Sequence, residues 1–145
     1  ADGELYLCDL THGEIFKIVA DGPFKGLGNA LAGETGDPVL YGTGGVGLGE
    51  PGSLHVRNAA PSSLAVAFAS ATNNPAPFFG GALIPGLPLV LSLNMFTDAN
   101  GDIDLGWTDL GANPSGLEIF IQFGFDDPAA VFSVSLSNAI SVTIP

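Results

Sequence analysis

Apolar residues alternate with polar or small residues in several short segments of the chain, and glycine- and proline-rich stretches separate these segments. A period of two residues is typical of β-strands that present one face to a core. The segments with this period are 54–56, 64–68, 103–107, 117–123, 132–136 and 140–144. No window shows a clear period of 3.6 residues, which would indicate a helix. The pattern therefore predicts an all-β protein built as an antiparallel β-sandwich.

The segment 87–96 differs from the others because it is almost continuously apolar. Such a run predicts a strand that is buried on both of its faces or lies deep in the sandwich. Asn100-Gly101 follows, and this pair supplies the positive φ angles of a tight hairpin turn. We therefore expect a β-hairpin whose first strand ends at Phe96 and whose second strand begins at Asp102.

The first residues predict a separate β-hairpin. Residues 4–10 and 14–19 both alternate, and a Thr-His-Gly turn lies between them. A two-stranded hairpin is marginally stable alone in water, so its apolar residues are expected to pack on something else. The predicted organisation is an N-terminal β-hairpin arm over residues 1–20, a Gly/Pro-rich linker with a short strand over 21–52, and an Ig-like or jelly-roll-like sandwich over 53–145.

Composition narrows the class of protein. The 145 residues include 15 acidic and 3 basic ones, which gives a formal net charge of −12. Binding to a phosphate backbone requires a basic surface, so nucleic acid is excluded as a main partner. No run approaches the ~20 apolar residues that a membrane-spanning helix needs. Low charge with abundant Gly, Ser, Asn and Thr favours an exported protein, with an extracellular or cell-surface location.

No segment carries the signature of a catalytic site. The segment 42–47 (GTGGVG) has the glycine spacing of a dinucleotide-binding loop, but residues 49–52 (GEPG) cannot open the helix that such a site requires. His12 and His55 belong to no metal or nucleophile motif. Cys8 is the single cysteine, so the chain forms no internal disulfide. These observations predict a protein without enzymatic activity.

Acidic and amide side chains recur at alternate positions after the apolar run. Their oxygens are the ligands that Ca²⁺ prefers. The position at which a calcium loop requires glycine is Ile103, however, and no helix is predicted on either side. Two interpretations stay open, an ordinary turn and a turn that binds calcium at the surface. The candidate calcium ligands are Asp98, Asn100, Asp102, Asp104 and Asp109.

Two segments of the arm allow a comparison with a known protein family. They are residues 2–10 (DGELYLCDL) and 13–19 (GEIFKIV). They resemble the C-terminal blade of the β-propeller in secreted glucose/sorbosone-type, quinone-dependent sugar dehydrogenases. A propeller blade has four strands, so two strands make no blade. The quinone- and calcium-binding residues of that family have no counterparts here. Together with the resemblance described next, this one implies that the chain is the end of a longer exported polypeptide. The alternative is a mature protein that begins with an unpaired hairpin.

The rest of the chain carries the segments 41–44 (YGTG), 97–101 (TDANG), 120–122 (FIQ), 127–130 (DPAA) and 135–140 (SLSNAI). In combination they resemble a C-terminal β-domain of large exported proteins from planctomycete-like bacteria, over about residues 41–145. Gly45 stands where such domains often carry cysteine, which removes a disulfide of that family. The resemblance implies a non-catalytic, surface-associated appendage.

Three functional hypotheses follow. The leading one is an extracellular structural protein that self-associates into a filament or surface layer, because an arm with open edges can donate a strand to a neighbouring copy. The second is a carbohydrate-binding or adhesive module that contacts surface glycans through Trp107, Phe78 and Phe79. The third is a terminal fragment of a quinone-dependent dehydrogenase. The residues predicted to make the assembly contact are Leu5, Tyr6, Leu7, Leu10, Ile15, Phe16 and Ile18.

Overall fold

The computed structural model shows an almost entirely β protein. It describes the backbone of residues 5–9 and 14–18, and residues 22–111 and 114–145 in full. A short 3-10 helix covers Val131–Ser133. The strands are β1 (Leu5–Asp9), β2 (Glu14–Ile18), β3 (Phe24–Gly28), β4 (Val39–Gly44), β5 (Gly52–Arg57), β6 (Leu64–Ser70), β7 (Asn73–Phe78), β8 (Gly81–Pro85), β9 (Leu91–Phe96), β10 (Ile103–Trp107), β11 (Glu118–Asp126), β12 (Val134–Leu136) and β13 (Ala139–Thr143).

Two sheets make up the body of the protein. The larger sheet has the order β3-β13-β11-β6-β9, and β12 pairs with the end of β11. The smaller sheet has the order β10-β5-β4. Every neighbouring pair in both sheets is antiparallel. The hairpins β1–β2 and β7–β8 form two further sheets of two strands each.

The larger and smaller sheets pack face to face over an apolar core. Strands of both sheets contribute their inward-facing residues to it. The buried members are Leu40, Val56, Ala59, Ala65, Ala67, Ile103, Phe123, Phe125 and Ile140. A core filled from the inner faces of two sheets defines a β-sandwich, so the predicted all-β, antiparallel sandwich is confirmed.

The outer face of the larger sheet is covered in part by the β7–β8 hairpin. Ala65 and Ala67 of β6 face the core, which places Val66 and Phe68 on the outer face. There Phe78 packs edge-on against Phe68, with ring centroids 5.7 Å apart. The small residues of β6 thus face the sandwich core, while its large residues receive the hairpin.

Gln122 of β11 attaches the hairpin to the larger sheet. Its side chain is fully buried. Its Oε1 accepts a hydrogen bond from the backbone N–H of Ile84 at 2.9 Å. Its Nε2 donates to the carbonyl oxygens of Ala82 at 3.2 Å and Ser137 at 3.0 Å. The amide is therefore satisfied in a place where an unpaired polar group would be costly.

Two predictions about residues 87–102 are wrong. The apolar run is not a strand buried on both faces, because β9 is the edge strand of the larger sheet and most of its residues are exposed. Asn100-Gly101 does not close a hairpin either, because it joins β9 of the larger sheet to β10 of the smaller sheet. Gly101 does have a positive φ, +83°, and an added Cβ there would collide with the carbonyl of Ala59.

The segment 21–52 contributes more structure than the single short strand that the sequence predicts. β3 pairs with β13 at one edge of the larger sheet, and β4 pairs with β5 at one edge of the smaller sheet. Each strand contains two glycines. Because glycine has no side chain, it hides the alternation by which strands are recognised. The glycine motif at 42–47 ends β4 and leads into a turn, not into a helix.

Candidate functional site: an open groove between the sheets

The smaller sheet covers only part of the larger one. β4 lies beside β3 and β13, so the smaller sheet starts over that edge of the larger sheet. It has three strands against the five of the larger sheet's main path, and β10 is its last strand. Among the described residues, no strand pairs with the edge of β10 that faces away from β5. We call this the outer edge of β10.

β9 presents leucines on the side that the smaller sheet does not reach. The register pairs Leu93 with Ala67, and Leu91 with Ala69. Directly paired residues lie on the same face of an antiparallel sheet. Ala67 belongs to the core, so both leucines point toward the side of the smaller sheet. They are nevertheless 46% and 51% exposed, because no described strand lies over them.

An apolar cavity of about 460 Å³ opens at this place between the sheets. Val90 and Leu91 border it on the larger sheet, and Leu105 and Leu110 border it on the side of β10. The cavity runs across the sandwich as far as the start of β3, and its other walls are Phe24, Val46, Leu54, Ala69, Trp107, Leu117, Ile119, Ile121, Val142 and Ile144. We call this cavity, together with Leu91, Leu93 and the outer edge of β10, the open groove.

The edges beside the open groove lack most of the features that prevent strand pairing. Charged residues, prolines and bulges usually protect the edge strands of monomeric proteins. The sequence has no Asp, Glu, Lys or Arg between Arg57 and Asp98, so β9 is uncharged along its whole length. β10 carries one charge, that of Asp104. An apolar edge of this kind favours pairing with a further strand.

The other side of the sandwich is closed by groups of the chain itself. The side chain of Asn138 caps β4, since its Oδ1 accepts from the N–H of Leu40 at 2.7 Å and its Nδ2 donates to the carbonyl of Leu40 at 2.8 Å. The ring of Phe24 packs against Gly42 so closely that any Cβ there would collide with it. An incoming strand would have to displace the side chain of Asn138 from the backbone of Leu40.

The predicted calcium ligands accept hydrogen bonds from different parts of the chain. Oδ1 of Asp98 accepts the backbone N–H groups of Asp102 at 2.9 Å and Asn100 at 2.8 Å, and these bonds lower the pKa of Asp98. Asp109 accepts the N–H of Gly49 at 3.0 Å, which lowers its pKa. Among the residues that the structure describes, no group of three or more His, Cys, Asp and Glu side chains is arranged to hold a metal ion. Calcium binding stays a prediction.

Asp104 belongs to a polar cluster on the outer face of the smaller sheet that the sequence did not reveal. Its Oδ1 lies 2.6 Å from Nδ1 of His55 and 2.6 Å from Nη2 of Arg57. The bond with His55, followed by that with Arg57, lowers the pKa of Asp104. The Tyr41 ring stacks on His55 at 4.9 Å, and Thr43 Oγ1 lies 3.0 Å from His55 Nε2. The cluster ties the three strands together.

The aromatic residues considered for glycan binding do not form one row. Trp107 packs between the sheets, where its ring lies 6.3 Å from that of Phe24 and its Nε1 donates to the carbonyl of Gly45 at 3.0 Å. Phe78 and Phe79 lie against each other on the outer face of the larger sheet. The larger sheet separates the two groups, so no single glycan could stack on all three residues.

The arm forms its own two-stranded sheet. Its register pairs Leu5 with Ile18 and Leu7 with Phe16. Neither β1 nor β2 pairs with a third strand of the described residues. The predicted assembly residues Leu5, Tyr6, Leu7, Ile15, Phe16 and Ile18 fall in these strands, whereas Leu10 and the predicted turn at 11–13 lie outside the described residues.

Comparison with known proteins gives no relative. No known protein family, curated protein or solved structure matches this chain. The resemblances to a propeller blade and to a C-terminal domain of exported proteins therefore stay predictions. The described residues contain no helix of the length and apolar character needed to cross a bilayer.

Proposed function

We propose that this protein is an extracellular structural protein without catalytic activity, and that it self-associates when the N-terminal arm of one copy enters the open groove of the next. One observation carries the proposal. The inner face of β9 is left uncovered beside the outer edge of β10, in a chain whose arm pairs with no other described strand.

The open groove favours an apolar, strand-forming partner. Its walls are apolar, and both bordering strands offer backbone groups for main-chain pairing. Complete burial of a leucine side chain is worth about 1.5–3 kcal/mol. Covering the half-exposed Leu91 and Leu93 therefore contributes on the order of 2 kcal/mol, before any backbone pairing is counted. The arm supplies matching material, since both of its strands are rich in apolar residues.

The position of the arm favours donation to a different copy. β2 ends at Ile18 and β3 begins at Phe24, on the edge of the larger sheet farthest from β9. The six residue steps between them span at most about 20 Å. The four strand spacings from β3 to β9 alone amount to about 19 Å. The connection therefore spans little more than the width of the larger sheet, which leaves almost no length to place the arm over Leu91 and Leu93 of its own copy.

A contact between an arm and a groove on different copies joins two unlike surfaces. Repeated along a row of copies, such a head-to-tail contact gives a filament when the rotation does not close into a ring. Leu91 and Leu93 lie on the edge strand β9, at the opposite edge of the larger sheet from β3. That arrangement suits a chain of copies in which each sandwich receives one arm and donates another.

Electron microscopy of the full chain and of a variant lacking residues 1–20 tests the proposal. We expect regular filaments from the full chain and single particles from the shortened one. A full-length variant with Leu7→Asp and Phe16→Asp should behave like the shortened chain. The matched control is the double variant Leu48→Asp and Val131→Asp, at two exposed residues that lie outside the arm and do not line the cavity. Circular dichroism confirms that each variant retains its β-structure. Monodisperse single particles in all samples would contradict self-association.

A further inference from the structure

We infer that the arm docks as an intact hairpin, with β2 pairing along the outer edge of β10 in the receiving copy. In this arrangement one face of the hairpin covers Leu91 and Leu93. The inference rests on the proposed function and deepens it, because it assigns the strand of the arm and the edge of the partner that meet.

The arm could pair with the edge of β9 or with the edge of β10, and the two arrangements differ in the residues that the added strand would cover. A strand added beside β9 would lengthen the larger sheet and leave Leu91 and Leu93 without a layer above them. A strand added beside β10 would extend the smaller sheet over β9, at the ~10 Å spacing of packed sheets. It would cover both leucines, which are 51% and 46% exposed, and close the mouth of the cavity. The outer edge of β10 is therefore the acceptor.

The register of the hairpin indicates which of its faces enters the groove. Paired and alternate positions of an antiparallel hairpin share one face. Leu5 pairs with Ile18 and Leu7 pairs with Phe16, so these four apolar positions belong together. The opposite face holds the positions of Tyr6, Cys8, Ile15 and Lys17. The first face also holds the pair Asp9–Glu14, at the end of the hairpin next to the turn. Its four apolar positions occupy the rest of that face and fit the apolar groove.

Charge indicates which strand of the hairpin lies beside β10. With the apolar face directed inward, Lys17 of β2 lies on the same side as the outer face of the smaller sheet. That face presents Asp104, with 60% of its side chain exposed, next to Arg57. The protein has only 3 basic residues against 15 acidic ones. Pairing β2 with β10 brings one of these cations to a carboxylate, whereas pairing β1 would bring Tyr6 there.

Disulfide trapping distinguishes the two edges. Every variant carries Cys8→Ala, which removes the natural thiol, and Lys17→Cys on the arm. A second cysteine is placed on β10 by Asp104→Cys or by Gly106→Cys, two positions that allow for a register shift of two residues. The comparison variant carries Ser92→Cys on β9 instead. Each full-length protein is assembled, mildly oxidised and run on a denaturing gel without reductant.

We expect the β10 variants to give a ladder of covalent multimers that collapses on reduction, in at least tenfold greater yield than the Ser92→Cys variant. Multimers formed mainly through Ser92→Cys would overturn the inference and leave self-association standing. So would filaments of the β10 variants that show no covalent ladder. A covalently closed monomer would overturn both proposals. If the Cys8→Ala protein with Lys17 intact forms no filaments and no variant cross-links, the proposed function itself fails.

Discussion

The two edge strands of the smaller sheet, β4 and β10, differ in what lies beside their unpaired backbone groups. At β4, Asn138 occupies the backbone groups of Leu40, and Phe24 fills the space above Gly42. At β10, no described strand continues the sheet, and the leucines of β9 beneath remain half exposed. One edge is completed by the chain's own side chains, and the other has the apolar surface and backbone groups that a further strand requires.

Because of this difference, the two edges of the smaller sheet are not equivalent for pairing with a further strand. A protein with two open edges could pair with neighbours on either side and in several registers. In the smaller sheet, the cap at β4 leaves β10 as the open edge, and the arm precedes β3, on the closed side. The proposed donor and the proposed acceptor at opposite edges would suit linear growth better than a symmetric dimer, in which both copies would use the same surface.

The largest effect is expected when the open edge is made polar. The double variant Leu91→Asp and Leu93→Asp should abolish assembly, with at least a hundredfold rise in the concentration at which multimers form. The reason is that an incoming strand would bury two carboxylates without partners. Sedimentation velocity over a concentration series measures the concentration at which multimers form. Leu48→Asp, at a residue that is 72% exposed and does not line the groove, is the matched control. Unchanged assembly of the double variant would exclude the groove as the acceptor.

The next effect concerns the cap on the closed edge. Asn138→Ala leaves the N–H and the carbonyl of Leu40 without their side-chain partners, and Leu40 is buried. Each unsatisfied buried group costs about 1–3 kcal/mol, so the free energy of unfolding should fall by about 2–4 kcal/mol in urea titrations. Asn94→Ala, on the exposed part of β9, should change it by less than about 0.5 kcal/mol. If Asn138→Ala and Asn94→Ala lowered the free energy of unfolding equally, the side chain of Asn138 would not stabilise the edge of β4.

A smaller loss is expected from filling the space between Phe24 and Gly42. Gly42→Ala places a Cβ against the Phe24 ring, and overpacking of this kind costs about 1–3 kcal/mol. Gly26→Ala on the neighbouring strand is the control, because its added Cβ meets nothing within 4 Å. In the background of Phe24→Leu, the cost of Gly42→Ala should shrink, since the shorter side chain leaves room. Additive losses would indicate that the two residues do not constrain each other.

The sequence predicts the strands of the sandwich better than it predicts how they are arranged. Alternation is a local property, so the segments around Val56, Val66 and Phe123 identify themselves. An apolar run identifies a strand without telling whether a second layer covers it. The run that ends at Phe96 has the composition of a doubly buried strand, yet it forms an edge. Its residues Leu91 and Leu93 belong to the open groove, which we propose is covered by a strand of another copy.

The candidate site depends on contacts between distant parts of the sequence. Leu91 and Leu105 are separated by a turn that joins two sheets, and their common cavity follows from the packing of those sheets. His55 and Asp104 meet because β5 and β10 pair in one particular register. The hairpin arm, by contrast, could be predicted from its alternation and its turn. The strands of the arm can therefore be predicted from sequence more readily than the open groove.

The smallest effect concerns the polar cluster on the smaller sheet and its response to acid. Hydrogen bonds from His55 and then Arg57 hold the pKa of Asp104 below its ordinary value. Because the pKa is lower in the folded protein than in the unfolded one, the cluster contributes stability above the unfolded pKa and loses it as the pH falls through the folded value. Asp104→Asn should therefore flatten the loss of stability below about pH 4. Urea titrations at pH 3 and pH 6 measure this loss of stability. Glu118→Gln, at an exposed residue outside the cluster, is the control because it makes the same change in net charge. An acid response identical to that of the parent protein would show that the cluster adds no pH-dependent stability to the strand beside the groove.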